Sequence, residues 1–121
     1  MDLAQIERLR EMLERRGERA LARLFTAGER AYCERRALTK YSSYAGRFAV
    51  KEAVMKLLGT GWTRGVRWVD IEVTRAPGSA PMVVLHGETA RIAQRRGIAR
   101  IHITITHDAG IAAAVAVGES A

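Results

Sequence analysis

The last quarter of the chain constrains the fold most. From Arg100 to Thr106, Ile101, Ile103 and Ile105 alternate with His102, Thr104 and Thr106, the two-residue period of a strand with one covered face. A turn at Asp108-Ala109-Gly110 follows, and Ile111 to Val117 returns as an almost unbroken apolar run. Such a run predicts a buried strand paired back on the first.

The preceding segments read mostly as helices. Leu3, Ile6, Leu9 and Leu13 recur at helical spacing with Gly17 behind them, which predicts a helix from Asp2 to Arg16. Ala20 to Phe25 adds a short turn of helix. Thr26 and Glu29 have the spacing of a capping box and predict a helix from Thr26 to about Arg36. Ser42 or Ser43 can cap a further helix that ends near Leu58, with Val50, Val54, Leu57 and Leu58 as its apolar stripe. Val66 to Thr74 and Met82 to Leu85 read as strands around a turn at Ala76-Pro77-Gly78-Ser79, and Glu88 to Arg96 as a helix stopped by Gly97. The expected class is α+β, helices on a mainly antiparallel sheet, in one domain spanning residues 1–121.

Composition narrows the setting. No apolar run is long enough for a transmembrane helix, and the charged start (Asp2, Glu7, Arg8, Arg10) is unlike a secretory signal. Cys33 is the single cysteine, so no internal disulfide forms, and it reads as an inert, half-buried thiol in a cytoplasmic protein. The net charge is +7, and between Arg15 and Lys40 eight basic residues face three acidic ones. Such a surface attracts polyanions in general. No nucleic-acid-binding motif accompanies it, so an acidic protein or a nucleotide-like substrate explains it at least as well as DNA.

Within the long helix, Glu52 and Lys56 fall one turn apart on one face, ahead of Gly59-Thr60-Gly61. A carboxylate, an ammonium and a glycine turn in that order can hold a metal and a phosphate together. The same spacing also describes an ordinary surface pair before a glycine C-cap, and spacing alone leaves both readings open.

The string GRFAVKEAVMKLLGTG, residues 46–61, resembles the signature of the holo-acyl-carrier-protein synthases, the small 4'-phosphopantetheinyl transferases. Trp68 to Val73, Leu85-His86-Gly87 and Thr104 to Asp108 occur in the order that family shows. The resemblance implies the 4'-phosphopantetheinyl transferase fold and transfer of the phosphopantetheine arm of coenzyme A to a serine of apo-acyl carrier protein. It implies Mg²⁺ on Asp2 and Glu52, with Glu52 also taking the serine proton, directly or through a water on the metal. Lys56 is implied on the phosphates or the developing charge, and Arg47, Lys51, Gly59, Thr60, Gly61 and His107 on the coenzyme. A homotrimer with His107 facing a neighbour's signature helix is implied too. Arg8, Arg19 and Arg23 are expected to dock the carrier protein, which is acidic. Nucleic acid and membrane are not expected partners, and His86 and His102 are expected to be structural or exposed. Family members carry an apolar strand running into the metal-binding aspartate; here Asp2 follows Met1, so that strand is expected to be missing. A basic nucleic-acid module without catalysis, or an inactive carrier-binding relative, is the alternative reading.

Overall fold

The computed structural model describes residues 1–61 and 65–121. Its elements are β1 (Asp2–Gln5), α1 (Ile6–Arg16), α2 (Glu18–Leu24), α3 (Ala27–Glu34), α4 (Lys40–Leu58), β2 (Ile71–Thr74), β3 (Met82–Leu85), α5 (Gly87–Arg95), β4 (Ile98–Asp108) and β5 (Ile111–Ser120). One sheet has the order β1-β5-β4 and the other pairs β2 with β3; every one of these pairs is antiparallel. The α+β class follows as expected.

The hairpin forms as its alternation predicts. Ile103 lies opposite Ala116 and Ile105 opposite Ala114 on the covered face. The connecting residues Ala109 (φ 50°) and Gly110 (φ 77°) are both left-handed, which suits a two-residue hairpin turn.

The N-terminus corrects two expectations. Asp2–Gln5 is a strand on β5, with Asp2 opposite Ala114, so the helix expected from Asp2 begins only at Ile6. Leu3 had been counted into the helical stripe but is exposed, whereas Leu9 and Leu13 are buried. Four residues are too few for a strand to announce itself beside an eleven-residue helix. Further along, only the end of the expected strand Val66 to Thr74 is extended; Trp68–Asp70 is a 3-10 turn.

The capping box forms at Thr26, whose hydroxyl accepts from the Glu29 amide at 3.1 Å while Glu29 Oε1 accepts from the Thr26 amide at 2.9 Å. The long helix starts at Lys40, before either serine, and ends at Gly59 with left-handed φ of 74°. It is not a one-striped surface helix. Twelve of its nineteen residues are buried, because the β1-β5-β4 sheet lies against one flank and α3 with β2 against another; Phe48, Glu52 and Lys56 keep a narrow, partly open stripe. α4 is the axis of the molecule.

Candidate active site

Glu52 and Lys56 do share a face of α4, and that face meets β1. Lys56 Nζ lies 3.2 Å from Asp2 Oδ1 and 3.3 Å from the Met1 carbonyl. Asp2 Oδ1 also accepts from the Leu3 amide at 3.0 Å, while Oδ2 is buried without a hydrogen-bond partner. Glu52 stands within hydrogen-bonding reach of Asp2. Burial pushes the Glu52 carboxyl up to about 7; the charge and hydrogen bond of Asp2 add to the rise, and Lys56 opposes it. Two carboxylates that repel one another, one with an orphaned oxygen, fit a hard divalent cation. No group of three or more His, Cys, Asp or Glu side chains gathers among the described residues, so such an ion would take its remaining ligands from water and substrate.

One turn and a half toward the helix start, Arg47 and His107 line a common cavity of about 460 Å³. Arg47 is almost fully buried, with its guanidinium 4.0 Å from the Tyr32 ring centroid and its Nε unpartnered. His107 packs on its own α4, its Nε2 lying 2.9 Å from the Ser42 carbonyl oxygen. Gly46 permits this, since a Cβ there would come 3.1 Å from His107 Nε2 and 3.0 Å from Ile105. Within the chain, His107 therefore sits against the N-terminal half of α4, beside Arg47. Arg36 and Arg75 join the same wall. Neither carries a sequence signal, because one follows α3 and the other precedes a turn, and only the tertiary fold brings them together.

Lys51 is not at this site. Its side chain is wholly buried, with Nζ donating to Glu29 Oε1 at 2.9 Å, to the Trp68 carbonyl at 3.0 Å and to the Ile71 carbonyl. Its three N–H bonds are therefore spent inside the protein, which corrects its assignment to the coenzyme. Burial pulls its ammonium below the ordinary lysine range, against the pull of Glu29. Gly59, Thr60 and Gly61 lie at the far end of α4, about 18 Å along the axis from Arg47. Thr60 is buried, and its hydroxyl donates to the Gly61 carbonyl at 2.8 Å.

A third feature is a groove of about 890 Å³ between α1, α2 and the Trp68 turn. Met12, Leu24 and Trp68 make its apolar floor, and Arg16, Arg19 and Arg23 its basic rim. Met12 continues it into a hollow that holds Arg8 and Phe48, and Phe48 stacks on Trp68 at 5.1 Å. The aromatic floor was not legible in the sequence, since Phe48 and Trp68 are twenty residues apart. His86 bonds Glu72 at 3.0 Å and His102 bonds Glu119 at 3.1 Å, both away from these cavities.

Comparison with known proteins identifies the family. The profile of the 4'-phosphopantetheinyl transferase superfamily matches residues 1–116. A holo-acyl-carrier-protein synthase of Solibacter usitatus is 46% identical over 111 residues, covering 92% of this chain and 88% of its own. One of Desulforudis audaxviator is 48% identical over 122 residues, covering 99% and 92%. The crystal structure of the Helicobacter pylori holo-acyl-carrier-protein synthase, in complex with coenzyme A, is 32% identical with a TM-score of 0.84, covering 98% of this chain and 96% of that one. The chain belongs to the 4'-phosphopantetheinyl transferase superfamily and, within it, to the holo-acyl-carrier-protein synthases.

Proposed function

We propose that the protein transfers the 4'-phosphopantetheine arm of coenzyme A to a serine of apo-acyl carrier protein, releasing 3',5'-ADP. The observation that carries this reading is the Asp2–Glu52 carboxylate pair with an orphaned oxygen and Lys56 beside it. In the reaction the serine oxygen bonds to the β-phosphorus as the bond from that phosphorus to the bridging oxygen breaks. The serine proton passes to Glu52, directly or through a water. Asp2 and Glu52 would hold Mg²⁺, which when bound neutralises pyrophosphate charge and stabilises the leaving group. Lys56 is half-exposed on a long flexible stem and can turn from Asp2 toward a phosphate.

Arg47 and His107, with Arg36 and Arg75, form the pocket we assign to the phosphorylated nucleoside end of coenzyme A. Gly59, Thr60 and Gly61 serve a different part of that molecule, at the other end of α4. The groove with Arg19 and Arg23, continued to Arg8, suits an acidic amphipathic helix of the carrier protein: apolar floor, basic rim. A homotrimer is supported by the uncovered face of the β1-β5-β4 sheet, where Leu3 and Val117 are each more than half exposed. No described helix is long and apolar enough to cross a membrane, and a cytoplasmic location is part of the proposal. The test is incubation with coenzyme A, Mg²⁺ and apo-acyl carrier protein followed by intact mass measurement. The expected result is a gain of one phosphopantetheine on the carrier; an unmodified carrier overturns the reading.

A further inference from the structure

Much of the contact between α4 and its sheet is made by small groups. Ala112 and Ala114 of β5 are buried beneath it, and a Cβ on Gly118 would come within 3.3 Å of Leu57. The helix itself buries Ala45, Gly46, Ala49 and Ala53. Small side chains allow a close approach but form shallow ridges, and ridges seated in grooves are what fix a helix against rolling or sliding. On the sheet side the directional contacts lie toward the two ends of α4, His107 Nε2 on the Ser42 carbonyl and Lys56 Nζ on Asp2, and both are exposed.

The opposite side adds a fully buried directional anchor in the middle of the helix. Lys51 Nζ is held by three acceptors on different elements: Glu29 of α3, the Trp68 carbonyl, and the Ile71 carbonyl at the start of β2. Glu29 is itself pinned, Oε1 accepting from the Thr26 amide at 2.9 Å and Oε2 from the Val73 amide at 2.9 Å. Stability alone does not explain such a pair, because an apolar pair of similar volume is commonly as stable. What an apolar pair lacks is orientation.

We propose that the buried Glu29–Lys51 pair fixes the roll of α4 and thereby holds Glu52 opposite Asp2, which makes Glu29 and Lys51 positioning residues for the transfer. The inference rests on the reading of Asp2 and Glu52 as the reacting carboxylates. Lys51 and Glu52 are consecutive, so an anchor at one sets the azimuth of the other. A side-chain tip on a helix lies about 5–6 Å from the axis, so a 10° roll displaces it by about 1 Å. Sites of this kind tolerate roughly 0.5 Å, and a 1 Å misplacement costs about 10²-fold in rate.

The test is the double variant Lys51→Met with Glu29→Gln, which removes both charges together and keeps the volume. Thermal melting and circular dichroism report the fold, calorimetry reports Mg²⁺ affinity, and kinetics separate kcat from KM. The expected result is a folded protein whose kcat falls at least about tenfold, with weaker Mg²⁺ binding and KM for coenzyme A within about twofold. A folded double variant with the parent's kcat and Mg²⁺ affinity overturns the proposal, because a purely structural pair would leave both unchanged. If the double variant does not fold, Glu29→Gln alone, assayed at low temperature, decides in the same way. The unsubstituted protein in the same assay separates the two layers: if it transfers nothing, the functional reading fails before the positioning one is reached.

Discussion

Two lysines about one and a half turns apart on α4 make ion pairs of opposite kinds. Lys51 and Glu29 are both fully buried, and every hydrogen-bonding direction of the ammonium is used. Lys56 keeps 62% of its side chain exposed, touches Asp2 at 3.2 Å, and leaves the other oxygen of that carboxylate without a partner. The first pair is closed, and rearranging it would strand a charge in the interior. The second is open, and its members lose little by exchanging partners for a cation and a phosphate. Residue type is the same in both; what separates structure from chemistry is whether the electrostatic demands are already met.

Three substitutions sharpen the contrast. Glu52→Gln should reduce transfer by about 10²–10⁴-fold, the usual worth of a positioned base, because the amide neither takes a proton nor offers the metal a charge. It should also stabilise the metal-free fold at alkaline pH. The Glu52 carboxyl sits above its ordinary value, so its ionisation penalises the native state; the penalty is full above about 7 and absent below the unfolded value near 4.5. Melting in the presence of a chelator should therefore show the variant ahead at pH 8 and level with the parent at pH 4. A variant that melts lower at pH 8, or that retains full turnover, breaks the assignment.

Lys51→Met alone should cost about 3–5 kcal/mol, since it leaves the Glu29 carboxylate buried and unpaired. Urea unfolding checks this, and a loss below about 1 kcal/mol would put the pair in the same class as a surface contact. Lys56→Ala should do the reverse. Its effect on stability should stay within about 1 kcal/mol, while affinity for coenzyme A drops roughly tenfold as a phosphate loses its cation. Calorimetry with coenzyme A, beside the same urea titration, checks both halves. Equal stability losses at positions 51 and 56 would erase the comparison.

How much of this was legible in the sequence follows from the same physics. Helical spacing alone set Glu52 and Lys56 on one face, and the capping box at Thr26 was readable because its partners are three residues apart. Spacing could not assign Lys51, because its side of α4 is covered by α3 and β2, elements that its own helical period does not reveal. Asp2 entered only through family resemblance, since a carboxylate beside the first residue carries no periodic signal. Arg36, Arg75 and the Phe48–Trp68 stack were missed because their partners converge across the fold. Cys33, expected to be half-buried, is buried completely, and burial pushes its thiol up to about 12, which disfavours the reactive thiolate.

The smallest effect tests whether charges outside both pairs act only on encounter. Arg8 and Arg23 rim the hollow and groove that we assign to the carrier protein, and among the described residues neither has a salt-bridge partner within 4.0 Å. An exposed, unpaired arginine does little for the fold but adds to the field that draws in an acidic partner. Reversing both charges, Arg8→Glu with Arg23→Glu, should raise KM for the carrier protein severalfold at low ionic strength. The effect should shrink as salt approaches about 1 M, where screening acts over roughly 3 Å. Coenzyme A affinity should hold, because its proposed pocket near Arg47 and His107 shares no lining residue with the groove or the hollow. Stability should change by no more than about 0.5 kcal/mol, as for ordinary surface substitutions. Carrier kinetics untouched at low salt would move the docking surface elsewhere. A fall in kcat at saturating carrier would mean that these arginines orient the serine, placing them with Lys56 among the groups that act on the reaction itself.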